Sequence, residues 1–396
     1  MPDRYNSLSL TNNPFPLPGS IEAIEGIQLI DPEQAGKELT DALKHFNPTI
    51  RKAEIEWIDK HLIDKLRNGE KCSNLWVSGP KGVGKSILLK YLVANLKDTN
   101  ILPVYVKYPE RGLPQILEVL VRWFGEERLS RIAEVAFSVY SKEHASKLNE
   151  ALKDMEEADR TSLKKVTDDT NGSEIIDDFE SWLQAAKGTH PKIAYVVANY
   201  YSLTKEDRII AIGKMRGKGD IAAALTSLVR LASDTIGTKT VLLVLDEIEL
   251  LWRGWPSSKR QNFSVWVRGI HETAGDGLRI VMSQVPDILT RQEIESKYRH
   301  IADVLPFTPT TVLNVKVLDN NSAKELIARY LQPARKPGTK GFIEPFSESA
   351  VQELNLRYRG LPREILYNCY SLVELAADQG LTTIDSNMLS QLAVTA

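Results

Sequence analysis

The sequence predicts an α/β protein: a core with a five-stranded, mainly parallel sheet, a helical insertion and a C-terminal helical domain. Three observations carry this reading. Short apolar runs alternate with amphipathic helical segments, as expected of parallel strands covered on both faces. One connection between strands is far longer than a single helix needs. From Asn320 onward only helical periodicity remains.

Residues 1–46 read as an arm and entry segment, and the stretch TNNPFPLPGS favours extended chain over helix. Helical spacing runs from Glu33 to Arg67, with Ile55, Ile58, Leu62 and Leu66 recurring at three and four residue intervals. The α/β domain, 47–319, takes its strands from NLWVSG (74–79), PVYVKY (103–108), VLLVLD (241–246), LRIVMS (278–283) and TVLNVKVL (311–318). After the first strand, SILLKYLVANL (86–96) places Leu88, Leu92 and Leu96 on one helical face. Residues 126–219 are charged and read as several helices around VTDDTNGS. A parallel crossover needs little more than one helix, so this stretch is an insertion. The helical domain, 320–396, opens with SAKELIARYL, where Ser322 and Glu325 have capping-box spacing. Later, Gly360 suits a left-handed helix end and Pro362 the first position of the next helix.

Composition narrows the function classes. With 396 residues, 42% of them hydrophobic, the chain can bury a substantial core. Its 50 basic and 52 acidic residues leave a net charge of -2, so overall charge does not advertise nucleic-acid binding, although local basic surfaces remain open. Cys72 and Cys369 lack any metal-ligand or disulfide spacing and fit a reducing compartment. MPDRYNSLSL lacks the apolar stretch of a signal peptide, and VLLVL (241–245) is too short to span a bilayer. The expectation is a cytoplasmic protein without membrane insertion.

GPKGVGKS (79–86) satisfies G-x-x-x-x-G-K-[ST] between a strand and a helix. In that context the backbone of Gly79, Pro80, Lys81, Gly82, Val83 and Gly84 curls around a phosphate, with Ile87 continuing into the helix. Lys85 reaches the β and γ oxygens, and the Ser86 hydroxyl ligates Mg²⁺. VLLVLDEIELLW (241–252) ends its apolar strand in Asp246 and Glu247. Asp246 is placed to hold Mg²⁺ through water, and Glu247 to polarise the water that attacks a γ-phosphate. Arg363 lies in the first turn of a helix, where a cation is disfavoured by roughly 0.3 to 1 kcal/mol unless an anion lies nearby. A bound ATP supplies that anion if the helical domain folds over the loop.

Together these features resemble the AAA+ ATPases over about residues 47–396. GPKGVGKS matches the family's Walker A, VLLVLDE its Walker B, and RIVMSQ its sensor 1 strand, with Gln284 or Ser283 at the polar tip. GLPRE is similar to the sensor 2 signature, which makes Arg363 the sensor 2 arginine and the helical domain a lid. FSESAVQELNLRYRGLPREILYNCYSLVELAADQG resembles lids of the replication-initiator clade and of bacterial transposition and secretion ATPases, and NPFPLPG is similar to the entry segment of the latter. The resemblance implies an arginine finger supplied to a neighbouring subunit, for which KYRHIADVLPFTP offers Arg299 first and Arg291 second. Two further stretches, KMRGKGD (214–220) and WRGWPSSKRQNFSVWVR (252–268), combine cations with glycines or tryptophans. They read either as a surface for a polyanion with exposed aromatics, or as a soluble rim around core tryptophans.

The expected function is that of an ATP-hydrolysing, Mg²⁺-dependent protein. It assembles with itself on ATP binding and remodels or recruits a protein partner, in association with DNA, in transposition, defence or replication. Two other readings stay open: a STAND-type signalling switch and a low-turnover nucleotide-gated scaffold.

Overall fold

β1 (Leu75–Ser78), β2 (Ile101–Lys107), β3 (Thr240–Asp246), β4 (Leu278–Gln284) and β5 (Val312–Asn314) form one sheet in the order β2-β3-β4-β1-β5, every pairing parallel. The computed structural model describes residues 4–18, 43–44, 46–96, 100–107, 113–213, 218–339 and 341–392. Most of the spacing expected from Glu33, and residues 214–217 of KMRGKGD, lie outside them. β1 to β4 are buried along their whole length, which explains their unbroken apolar runs. β5 is shorter than the expected 311–318. After Asn314 only the Val315 amide still reaches the sheet, at the Ser78 carbonyl (2.8 Å), and Lys316 to Leu318 lead out of it.

Helix α1 (Lys52–Ile58) continues through a π turn, Asp59–Ile63, into Asp64–Arg67, burying Ile58, Leu62, Ile63 and Leu66. α2 (Lys85–Asn95) follows β1. After β2, α3 (Leu113–Glu143) bends at Gly125 (φ 69°, ψ 168°), and Gly172–Ala185, Pro191–Ala198 and Lys205–Gly213 lead back to α4 (Lys218–Ile236). The insertion is therefore helical. Phe137, Tyr140, Phe179 and Trp182 pack edge and face within it, and its apolar residues are continuous with the sheet's core. α5 (Ser257–Ala274) packs against α4, the short helix Arg299–Val304 and the central strand β4.

The helical domain has its own core. α6 (Asn320–Leu331) starts two residues before Ser322, because Asp319 is the cap: its carboxylate accepts from the Ser322 amide at 2.7 Å. The expected capping box of Ser322 and Glu325 is thus replaced by an aspartate cap. α7 (Glu348–Arg357) is capped by Ser347, and α8 (Pro362–Asp378) carries Pro362 at its first position. Between them Gly360 takes φ 68°. A Cβ there would meet the Leu318 carbonyl oxygen at 2.4 Å, so both conformation and space demand glycine.

The described residues 4–18 of the arm pack on the helical domain, whereas Leu43 and Phe46, at its end, pack on the α/β core. Leu8, Leu10 and Phe15 sit inside the helical domain's core, the Thr11 amide donates to the Ala334 carbonyl (2.8 Å), and Arg4 pairs with Glu374 (2.8 Å). Phe15 is 4% exposed, stacked on Tyr330 and edge-on to Phe346. Phe15→Ala is therefore expected to cost about 3 kcal/mol, read as a lower denaturation midpoint. An unchanged midpoint would show that the arm contributes nothing to the lid core.

Candidate functional site

Four strand ends meet at the carboxyl edge of the sheet, where parallel sheets place ligands: Ser78 of β1, Lys107 of β2, Asp246 of β3 and Gln284 of β4. Beyond Ser78 the chain curls through Gly79 to Gly84 into α2. Gly82 and Gly84 have φ +80° and +100°, in the region that favours glycine, while a Cβ on Gly79 would meet Val83 Cγ1 at 3.0 Å. Val83 is buried beneath the curl, Pro80 and Lys81 stand exposed above it, and Ser86 and Ile87 are half-buried in the first turn of α2. Lys85 is 7% exposed, and its ammonium donates to the carbonyls of Gly79 (2.8 Å) and Pro80 (3.2 Å).

Arg363, in the first turn of α8, lies directly on this loop. Its amide donates to the Gly82 carbonyl (3.4 Å), and a Cβ on Gly82 would come within 3.3 Å of Arg363 Cβ and 4.0 Å of its Nε. Burial holds Lys85 below the ordinary lysine range. Glu249, Asp246 and Glu247 oppose that shift, and the Arg363 charge adds to it. Two cations thus converge on one glycine-rich curl at a helix N-terminus, an arrangement suited to a polyanion.

The carboxylates lie beside it. Asp246 is fully buried: the Tyr105 hydroxyl donates to Oδ2 (2.5 Å), and the Ser283 hydroxyl and the Glu247 amide (2.9 Å) donate to Oδ1. Glu247 adopts φ 55°, uncommon for a residue with a side chain, and its carboxylate stands 3.6 Å from Lys107 Nζ. Of the two sensor 1 candidates, Ser283 touches Asp246. Gln284 turns toward β1, its Nε2 donating to Ser78 Oγ (3.4 Å) while its Oε1 is buried without a hydrogen bond.

Two contributors escaped the motif reading. Lys107 is simply the last charged residue of an apolar strand, but its register opposite Asp246 sets it beside Glu247. Glu249 is the third acid of DEIE, and its burial at 7% exposure is the telling fact. Its Oε2 has no hydrogen bond among the described residues, and burial raises its pKa, with Lys85 opposing and Asp246 reinforcing the shift. No local pattern signals that burial, because acids at a strand end and helix start can all face solvent.

Arg299 is exposed at the start of the short helix Arg299–Val304, and Arg291 is exposed and paired with Glu295 (2.7 Å). No hydrogen bond or ion pair joins either to the loop among the described residues. The stretch 252–268 is not an exposed aromatic surface. Trp252, Trp255 and Trp266 are 4%, 6% and 4% exposed, clustered around Phe263, with Lys259 lying over Trp255 (4.2 Å). Burial of three large rings outweighs their use as stacking platforms. Among the described residues, no helix is long and apolar enough to cross a membrane.

A family model described as the AAA ATPase domain matches residues 47–264, more than half of the chain. Over 80 residues the chain is 31% identical to an uncharacterized HTH-type transcriptional regulator of Methanocaldococcus jannaschii, a match that covers 20% of this chain and 19% of that one. The chain thus matches under a fifth of that relative's length. Among solved structures it is similar to the ORC2 protein of Aeropyrum pernix in ADPNP and ADP complexes (TM-score 0.48, 12% identity, 86% of this chain and 67% of that one). It is also similar to Cdc6p of Pyrobaculum aerophilum (0.44, 13%, 84% and 64%). A third is the ORC1 protein of A. pernix in complex with DNA (0.42, 14%, 89% and 69%).

Glu249 yields a pH test. Its raised pKa means the folded state holds the proton more tightly than the unfolded one. Its favourable contribution is therefore present in acid and lost as pH rises from the ordinary carboxylate range through the folded-state value. Glu249→Gln is expected to flatten that fall and to raise the nucleotide-free melting temperature at neutral pH. Parallel wild-type and variant melting curves across pH would contradict this.

Proposed function

This chain belongs to the AAA ATPase domain family, and on that premise we propose that it binds ATP at the loop of Gly79 to Ser86 and hydrolyses it in a Mg²⁺-dependent reaction. The observation that carries the reading is the convergence of Lys85 and Arg363, from two separate domains, on the same glycine-rich curl. The curl's backbone amides, the Lys85 ammonium and the Arg363 guanidinium bind the triphosphate, whose charge relieves the repulsion between the two cations. The Ser86 hydroxyl and, through water, the Asp246 carboxylate would hold Mg²⁺. Oxygen donors suit this ion, and the buried Glu249 Oε2 without a hydrogen bond fits a cation nearby. Held there, the ion would supply positive charge for the phosphate oxygens.

Glu247 orients and deprotonates the attacking water. Lys107 holds its carboxylate in place, and Gln284 stands at the carboxyl end of β4. Release of the γ-phosphate removes the anion that joins Arg363 to the loop, and the lid reopens. Nucleotide-dependent self-assembly is part of the proposal, with Arg299, exposed and free to meet a neighbouring copy, ahead of Arg291 as the finger. The partner remodelled or recruited is placed on DNA, in the cytoplasm.

Glu247→Gln is expected to bind an ATP analogue within about twofold of wild type while phosphate release falls at least about 100-fold. Unchanged turnover removes Glu247 from the mechanism. No affinity of the folded wild type for ATP or ADP ends the proposal. Size-exclusion chromatography with a non-hydrolysable analogue, with and without duplex DNA, tests assembly, and a species indifferent to both contradicts it.

A further inference from the structure

Arg51 and Glu54, which no motif reading used, form a buried pair at 5% and 6% exposure. They lie at the start of α1, yet their partners belong to two other parts of the chain. Arg51 Nη2 donates to the Val83 carbonyl (2.5 Å) on the back of the phosphate loop, and Nη2 would be 3.5 Å from a Cβ on Gly84. Nη1 donates to Glu54 Oε1 (3.2 Å) and to the Lys316 carbonyl (2.6 Å), and the same Glu54 oxygen accepts from the Lys316 amide (3.2 Å). Lys316 lies in the linker that carries the chain from β5 into the lid.

These contacts close a ring. From Lys316 the linker reaches Leu318, whose amide donates to the Gly360 carbonyl (2.8 Å). From Gly360 the chain enters α8, and the Arg363 amide returns to the Gly82 carbonyl (3.4 Å) on the front of the same loop. The loop is thus gripped from behind by Arg51 and from in front by Arg363, with the lid linker between the two grips. Only a guanidinium has a fixed fork of donors able to serve a loop carbonyl, a linker carbonyl and a carboxylate together.

We propose that Arg51 and Glu54 are a positioning pair that couples the conformation of the phosphate loop to the lid linker, so that nucleotide in the loop sets the lid's position. The proposal rests on the reading of this loop as a nucleotide site. Burying the pair costs desolvation, which lowers the Arg51 pKa while Glu54 opposes that shift. A pair kept only for stability would be replaceable by apolar residues of like size.

The test replaces both residues, Arg51→Met with Glu54→Met, since removing a buried pair together is often neutral whereas removing one partner strands a charge. Affinity for a non-hydrolysable ATP analogue, melting temperature and the effect of Arg363→Ala on that affinity are measured in wild-type and double-methionine backgrounds. The expected result is a melting temperature near wild type, analogue affinity lower by about tenfold, and an Arg363→Ala penalty at least about fivefold smaller in the double-methionine background. Wild-type analogue affinity, or an equal Arg363→Ala penalty in both backgrounds, overturns the coupling while leaving the nucleotide site intact. Absence of analogue and ADP binding by the wild type overturns both. If the double variant does not fold, Glu54→Gln, which keeps the acceptor and loses the charge, is read by the same affinity and penalty criteria.

Discussion

The contact between the Gly82 curl and the first turn of α8 organises this molecule. It brings Arg363 onto a loop that already buries Lys85, and like charges in a desolvated space repel one another. The protein meets this repulsion in part, with Asp246, Glu247 and Glu249 around the lysine, but each acid has other commitments. Asp246 is occupied by two hydroxyls and an amide, Glu247 stands by Lys107, and Glu249 is itself destabilised by burial. The lid's position and the electrostatics of the loop are therefore one problem, solved together or not at all.

Much of this was legible in the sequence, for identifiable reasons. A strand buried on both faces has to be apolar throughout, so VLLVLD and LRIVMS announce themselves. The P-loop pattern is legible because left-handed and closely packed positions leave glycine as the only choice, as at Gly82 and Gly84. Gly360 followed by Pro362 marks a helix boundary on the same grounds.

What stayed hidden depends on partners distant in the chain. Nothing near Lys107 reveals that register will set it beside Glu247, and nothing near Arg51 points to Val83 or Lys316. The tryptophans of 252–268 were open to two readings because a ring's burial is decided by the elements around it. At α6 two caps competed locally. Asp319 won over Ser322 because its carboxylate reaches the amide three residues on, letting the helix begin earlier.

The arm has a bearing on how the chain is made. Leu8, Leu10 and Phe15 leave the ribosome before the whole α/β domain, whereas the helices that enclose them, α6 to α8, come after it. Throughout translation these apolar side chains wait without their native neighbours, in a sequence order that joins distant segments and so favours slow closure. A product lacking α8 would leave these apolar side chains uncovered beside a finished α/β domain, where exposed apolar surface favours association.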